Sequence, residues 1–252
     1  MNKLSLAVRM SLIAALLVVL AGCGGGPVNR GVANAVKAQL PQVVGPADSW
    51  DVDVTGNPGT IIRGRVPCVL IHGVNVRMSP QLTMDTLDIT AKDIHVDIAK
   101  RELKNIDSLT FCGALNQYEL DHYMAATASG SKRPDNLQVK LSDADMSVSF
   151  AQKLSFVSIP VQVDGRLNVS TAGDNKIDFI PSAISIAKIN LPRELVNYSV
   201  KAINPAIDLS TMTFPVHLKS IRVTNRRVVF AGSAEIPPAA FAAAKQQTAN
   251  AR

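Results

Sequence analysis

The stretch Val157-Ser158-Ile159-Pro160-Val161-Gln162-Val163-Asp164-Gly165-Arg166-Leu167-Asn168-Val169 alternates with a period of two. Val157, Ile159, Val161, Val163, Leu167 and Val169 share one parity with Gly165, and Ser158, Gln162, Asp164, Arg166 and Asn168 share the other. Successive side chains of a strand point to opposite faces, so this pattern predicts a long strand with one buried face. Thirteen residues at about 3.3 Å each span roughly 43 Å, which exceeds the usual strand and predicts a strongly curled, elongated sheet.

The neighbouring chain continues the pattern. Gly173-Asp174-Asn175 is a turn, and Lys176 to Ile189 returns as a strand. Ile177 and Phe179 lie in one register there, Ile184 and Ile186 in the other, so Pro181 marks a bulge or kink. Val216 and Leu218 share a register, and Ile221 and Val223 resume in the opposite one. Asn225-Arg226 then turns into Val228, Phe230, Gly232 and Ala234. On the N-terminal side, Val28 to Leu40 has Val32, Val36 and Leu40 at helical spacing, with Pro41 as its stop. Strand character begins at Ser49. Cys68, Leu70, Val74, Val76 and Met78 share a parity, and further strand signals run over Leu82 to Ile89, Ile94 to Ile98 and Asn105 to Phe111.

Two helices interrupt the strands with related wording. Leu115-Asn-Gln-Tyr-Glu119-Leu120-Asp-His-Tyr123-Met124 and Leu191-Pro-Arg-Glu194-Leu195-Val-Asn-Tyr198 share Leu, Glu-Leu and Tyr at nearly the same spacing. Leu120, Tyr123 and Met124 form one helical face, and Leu195 and Tyr198 its counterpart. A pseudo-repeat with halves 28–130 and 136–236, split at the polar loop Ala128 to Asn136, explains the likeness; so does coincidence between two amphipathic helices. Many antiparallel strands with few helices indicate α+β, here a long curled antiparallel sheet wrapped around helices within one domain over 28–236. Such a sheet encloses either a packed core or an apolar groove, and both fit the pattern. Residues 237–252 form a frayed tail.

The N terminus is a targeting segment. Lys3 and Arg9 precede the apolar run Met10 to Leu20 and then Leu20-Ala21-Gly22-Cys23, which resembles the lipobox of bacterial lipoproteins. That resemblance implies cleavage after residue 22, acylation of Cys23 with palmitate-type chains, a tether over 23–27, and a membrane anchor without a transmembrane helix. The alternative is an ordinary thiol behind a secretory signal. Gly24 in place of the Asp that retains lipoproteins at an inner membrane implies, in a cell with two membranes, the periplasmic face of the outer membrane over the inner one. Without residues 1–22 the chain has 230 residues and a formal charge of +4, mild enough to suit anionic lipid surfaces. Aromatics are only 4 % and no long basic run occurs, so nucleic acid is not an expected partner.

Catalytic chemistry is not expected. His72, His95, His122 and His217 are scattered, and no nucleophile elbow, Cys-x-x-Cys, phosphate loop or dinucleotide fingerprint occurs. His95 and Asp97 share a strand face without a third metal ligand, and Asp143-Ala-Asp145 reads as a turn. No metal or cofactor is expected. Cys68 and Cys112 remain after Cys23 is used, and an oxidising compartment favours a disulfide between them over two free thiols.

The C-terminal part resembles the LmeA-like phospholipid-binding family of bacterial envelope proteins. The likeness rests on Asn204-Pro205-Ala206-Ile207-Asp208-Leu209, on Phe214-Pro215-Val216-His217-Leu218-Lys219-Ser220-Ile221-Arg222-Val223-Thr224, and on Val228-Val-Phe-Ala-Gly232. It covers roughly 59–236, strongest in the last fifty residues. It implies a tubular lipid-binding-like fold whose apolar groove holds phospholipid acyl chains. Groove candidates are Val157, Ile159, Val161, Val163, Leu167 and Val169, with Leu120, Tyr123, Met124, Leu195 and Tyr198 from the helices. The competing reading is a structural or assembly lipoprotein with a packed interior and a protein partner, whose identity the sequence does not name.

Overall fold

The computed structural model describes residues 28–98, 102–127, 135–154, 157–186, 204–210, 212, 215–224 and 226–235. The signal, Cys23, the tether, Leu195, Tyr198, the second repeated helix and the tail lie outside them, as does the side chain of Val157.

Helix α1 (Val28–Val43) is followed by strand β1 (Ser49–Thr55), the short helix α2 (Pro58–Ile62), and the long strands β2 (Arg65–Ser79), β3 (Leu82–Asp97) and β4 (Glu102–Asn116). Helix α3 (Gln117–Thr127) leads to β5 (Asp135–Leu141), β6 (Met146–Leu154), β7 (Val157–Val169) and β8 (Lys176–Ile186). The two-residue β9 (Ile207–Asp208), then β10 (Val216–Thr224) and β11 (Arg227–Ala234), complete the described elements. One sheet has the order β1-β2-β3-β4-β11-β10 and the other β5-β6-β7-β8-β9, with every pairing antiparallel. The protein is thus mostly antiparallel β with a curled half-barrel sheet and few helices. The last two strands return to the first sheet, so sheet membership does not follow a division at residues 130–136.

β7 occupies the thirteen residues that alternation marked, with Ile159, Val161, Val163 and Leu167 buried and Val169 half-buried. The expected bulge at Pro181 is present: Asp164 faces Ala183, whereas Gly165 faces Pro181. The register change in β10 is a second bulge, between Leu218 and Ser220.

Three differences from expectation have local causes. α1 continues through Pro41 to Val43, with Val44 N–H and Gly45 N–H both closing on Leu40 O. α2 is short, begins at Pro58 and is capped by Asn57 Oδ1, which accepts from Gly59 N–H at 2.8 Å. In β2 the buried set is Val66, Val69, Ile71, Gly73 and Val76, and Leu70 is exposed. Alternation is broken near Asn75, which adopts φ 51° and bonds Asp48, and near Pro67, which has no N–H for the ladder.

Curling brings inner-face side chains together, and glycine makes the room. Gly73 is paired with Trp50, and a β-carbon there would collide with the Trp50 ring and Val76. Gly113 is paired with Phe230, whose ring would lie 2.9 Å from an added β-carbon. Phe111 is paired with Gly232, and the Phe111 and Phe230 rings meet edge to face, 6.4 Å apart. Large rings over glycines let the sheet bend without a void.

Gly73→Ala is therefore expected to lower the free energy of unfolding by about 1–3 kcal/mol, the usual range for overpacking. Urea denaturation reads this directly; an unchanged midpoint would mean that Trp50 does not pack over Gly73.

Candidate functional site

Helix α3 starts where β4 ends. Asn116 Oδ1 accepts from Glu119 N–H at 2.9 Å, and Gln117 N–H donates to Arg226 O in the β10–β11 turn. Leu120, Tyr123 and Met124 are buried on its inner face, as helical spacing predicts, and Tyr118 is exposed. On the side facing β5, Gln117 Oε1 accepts from Leu141 N–H and Asp121 Oδ1 from Val139 N–H, at 2.9 and 2.7 Å. Residues four apart on a helix thus serve amides two apart on a strand.

The Asn204 to Leu209 stretch lies where these elements converge. Asn204 Nδ2 donates to Phe179 O and Asn204 Oδ1 accepts from Phe179 N–H, so the side chain imitates a strand neighbour for β8. Ile207 pairs with Ile177, and Ala206, Ile207 and Leu209 are fully buried. Asp208 N–H donates to the Tyr123 hydroxyl at 3.1 Å, which ties the segment to α3. Burial pushes the Tyr123 phenol up, with the bond from the Asp208 amide opposing. Burial also works against ionisation of Asp208, but bonds from Ser210 and the Lys176 ammonium at 3.5 Å outweigh it and hold the carboxyl low.

The two sheets are joined along β10. Leu218 N–H donates to Asp174 O at 2.7 Å and Ala144 N–H to Val223 O at 3.2 Å, so two turns of the second sheet bond the edge strand of the first. His217 Nδ1 donates to Asp174 Oδ2 at 2.7 Å, and Glu235 stands 3.7 Å from its Nε2.

Val161, Val163 and Leu167 belong to one buried core with Leu120, Tyr123 and Met124, which it shares with the first sheet. Within that core α3 packs on β5, β3 and β4, whereas β7 packs against β6, β8 and β10. An open cleft of about 650 Å³ lies elsewhere, along β5 beside the start of α3. Val139 and Leu141 also border it along β5, with side chains almost wholly buried. Its polar wall has Lys140, Gln138 and Ser149 on one side, Gln117 and Arg226 on another, and Ser142 and Asp143 at the β5–β6 turn. None of these residues was singled out by sequence as a binding group.

Cys68 and Cys112 are free thiols, which overturns the expected disulfide. Cys68 faces Lys92 and Cys112 faces Asp88, both on β3, so a whole strand and four residues of register separate them. Strands about 4.8 Å apart put that far outside disulfide reach. Burial raises the Cys112 thiol pKa, and the Asp88 carboxylate adds to the effect. Among the described residues no group of side chains is placed to hold a metal ion. His72 is bonded to Asp88, Asp97 is paired with Lys104, and Ser142 N–H to Asp145 O closes the Asp143–Asp145 turn. No helix among the described residues is long and apolar enough to cross a membrane.

Comparison with protein families matches the LmeA-like phospholipid-binding family over residues 25–233. The chain belongs to this family. The match spans both sheets and includes α1. A comparison with curated proteins finds no match. In this LmeA-like protein the Asn204 to Leu209 stretch joins α3, β8 and the β7–β8 turn, where Leu209 N–H donates to Asn175 O at 2.9 Å.

The His217–Asp174 pair predicts a pH dependence. The hydrogen bond to Asp174 raises the imidazole pKa, partial burial opposes it, and Asp174 and Glu235 charges outweigh that of Lys219. A raised folded-state pKa stabilises the junction fully below the unfolded value of about 6.5, and this contribution is lost as pH rises through the folded value. NMR titration should place His217 above an ordinary histidine, and Asp174→Asn should bring it down. An unchanged midpoint in the variant would rule the pair out as the cause.

Proposed function

We propose that this protein is a lipid-anchored envelope protein that binds glycerophospholipid acyl chains and holds or shuttles them at a membrane. Membership of the LmeA-like phospholipid-binding family carries this reading. The chains lie in an apolar groove whose walls are the β7 face Ile159, Val161, Val163 and Leu167 and the α3 face Leu120, Tyr123 and Met124. Cys23 carries the anchor, and Gly24 suits delivery to the periplasmic face of an outer membrane. The ligand is phospholipid, with no other cofactor and no catalytic step.

A specific observation favours a second reading. Val161, Val163 and Leu167 are 2, 0 and 7 % exposed within a contiguous core. A chain that keeps this interior filled with its own side chains is a structural or assembly lipoprotein acting through its surface.

Native mass spectrometry of the purified protein, with organic extraction of whatever is bound, separates the two. Lipid binding predicts co-purified phospholipid that is lost in a Val161→Glu variant still folded by circular dichroism. In a filled core the unpaired charge costs several kcal/mol and unfolds the domain, and the wild type neither carries nor takes up phospholipid.

Cys23→Ser tests the anchor. The variant should leave the membrane fraction for the soluble one, because acyl chains on Cys23 provide the attachment. Retention on membranes in high salt would contradict the assignment.

A further inference from the structure

We infer that the cleft along β5 is a phosphodiester site and, on the lipid-binding reading above, that it receives the phospholipid headgroup. The cleft's volume of about 650 Å³ is that of a small-ligand site. Lys140 and Arg226 enter it from different elements, and neither side chain has an ion pair or hydrogen bond among the described residues.

Arg226 is held there by its backbone. It adopts φ 62° in the β10–β11 turn, and its carbonyl accepts the first amide of α3 at 2.9 Å. That bond ties the turn to Gln117, whose side-chain oxygen is committed to Leu141 N–H. The arginine-bearing turn is thus fixed beside the strand that carries Lys140, before any ligand arrives. Two cations on separate elements suit an anion with several oxygens, and guanidinium matches two phosphate oxygens at once.

Charge narrows the ligand further. With Asp143 as the only acidic lining residue, the walls sum to one positive charge, which a phosphodiester neutralises with one negative charge. Asp143 then faces whatever hydroxyl or ammonium the headgroup carries beyond the phosphate. Val139 and Leu141, which alternate with Gln138 and Lys140 along β5, are buried in the core that also contains the β7 and α3 side chains. A headgroup in the cleft accordingly sits at the polar margin of the region assigned to acyl chains.

The test uses the full chain, a Lys140→Gln/Arg226→Gln variant, and three probes: fluorescent phosphatidylglycerol, diacylglycerol with the same chains, and the free phosphodiester glycerophosphoglycerol. Both replaced side chains are exposed, so folding is unaffected and is checked by thermal melting. The expected result is about tenfold or weaker binding of phosphatidylglycerol by the variant, the scale of lost charge-assisted contacts, with diacylglycerol binding unchanged. Equal phosphatidylglycerol binding by variant and wild type overturns the inference. If the wild type binds neither lipid, the lipid-binding reading fails instead. Glycerophosphoglycerol binding lost in the variant then keeps the cleft as a site for free phosphodiesters, and no glycerophosphoglycerol binding removes that as well.

Discussion

Two open sheets present four edges, and every edge exposes backbone amides and carbonyls that need partners. Much of this protein's architecture answers that need. α1 packs along β1, and Asn29 Nδ2 reaches across to Val54 O and Gly56 O. α3 gives the β5 edge the side chains of Gln117 and Asp121. The outer edge of β10 is met by turns of the other sheet, and Asn204 extends the β8 edge with a side-chain amide. Among the described helices, α1 and α3 are each placed at an edge. The Gln117 arrangement also fixes Arg226, so the device that protects an edge shapes a cleft as well.

Alternation is the signal that read most truly from sequence. β7 was legible to the residue because its two faces meet different surroundings over thirteen positions. The parity change around Pro181 was legible as a bulge or kink and that after Leu218 as a change of register, since a bulge shifts which residues face inward. β2 misled for a related reason. Its buried face changes where Asn75 adopts a left-handed conformation, so apolar Leu70 falls on the outside. The disulfide misled because pattern gives a residue's face and not its distance across the sheet, and β3 intervenes between Cys68 and Cys112.

The cleft was not legible at all. Gln117, the 138–143 stretch, Ser149 and Arg226 come from four places in the chain, and each reads locally as ordinary surface polarity. Their meeting depends on a helix start, a strand edge and a turn held by backbone bonds. The Asn204 to Leu209 stretch was the reverse case, noticed first as a family likeness. The structure supplies its chemistry: an amide that imitates a strand, three buried apolar side chains, and a backbone N–H for the Tyr123 hydroxyl.

The return of β10 and β11 to the first sheet orders events in time. In a chain made from its N terminus, β1 to β4 can pair as a meander at once, through contacts close in sequence. The far side of β4 then waits for Arg227–Ala234, more than a hundred residues later, with the whole second sheet in between. Until those strands arrive, a fifteen-residue edge stays open and the rings of Phe111 and Phe230 remain apart. Closure of that seam is a long-range step, slow compared with the hairpins before it. A chain truncated before residue 227 keeps most of its strands and lacks the means to cover β4, so the last two strands determine when this protein ceases to be a template for its neighbours.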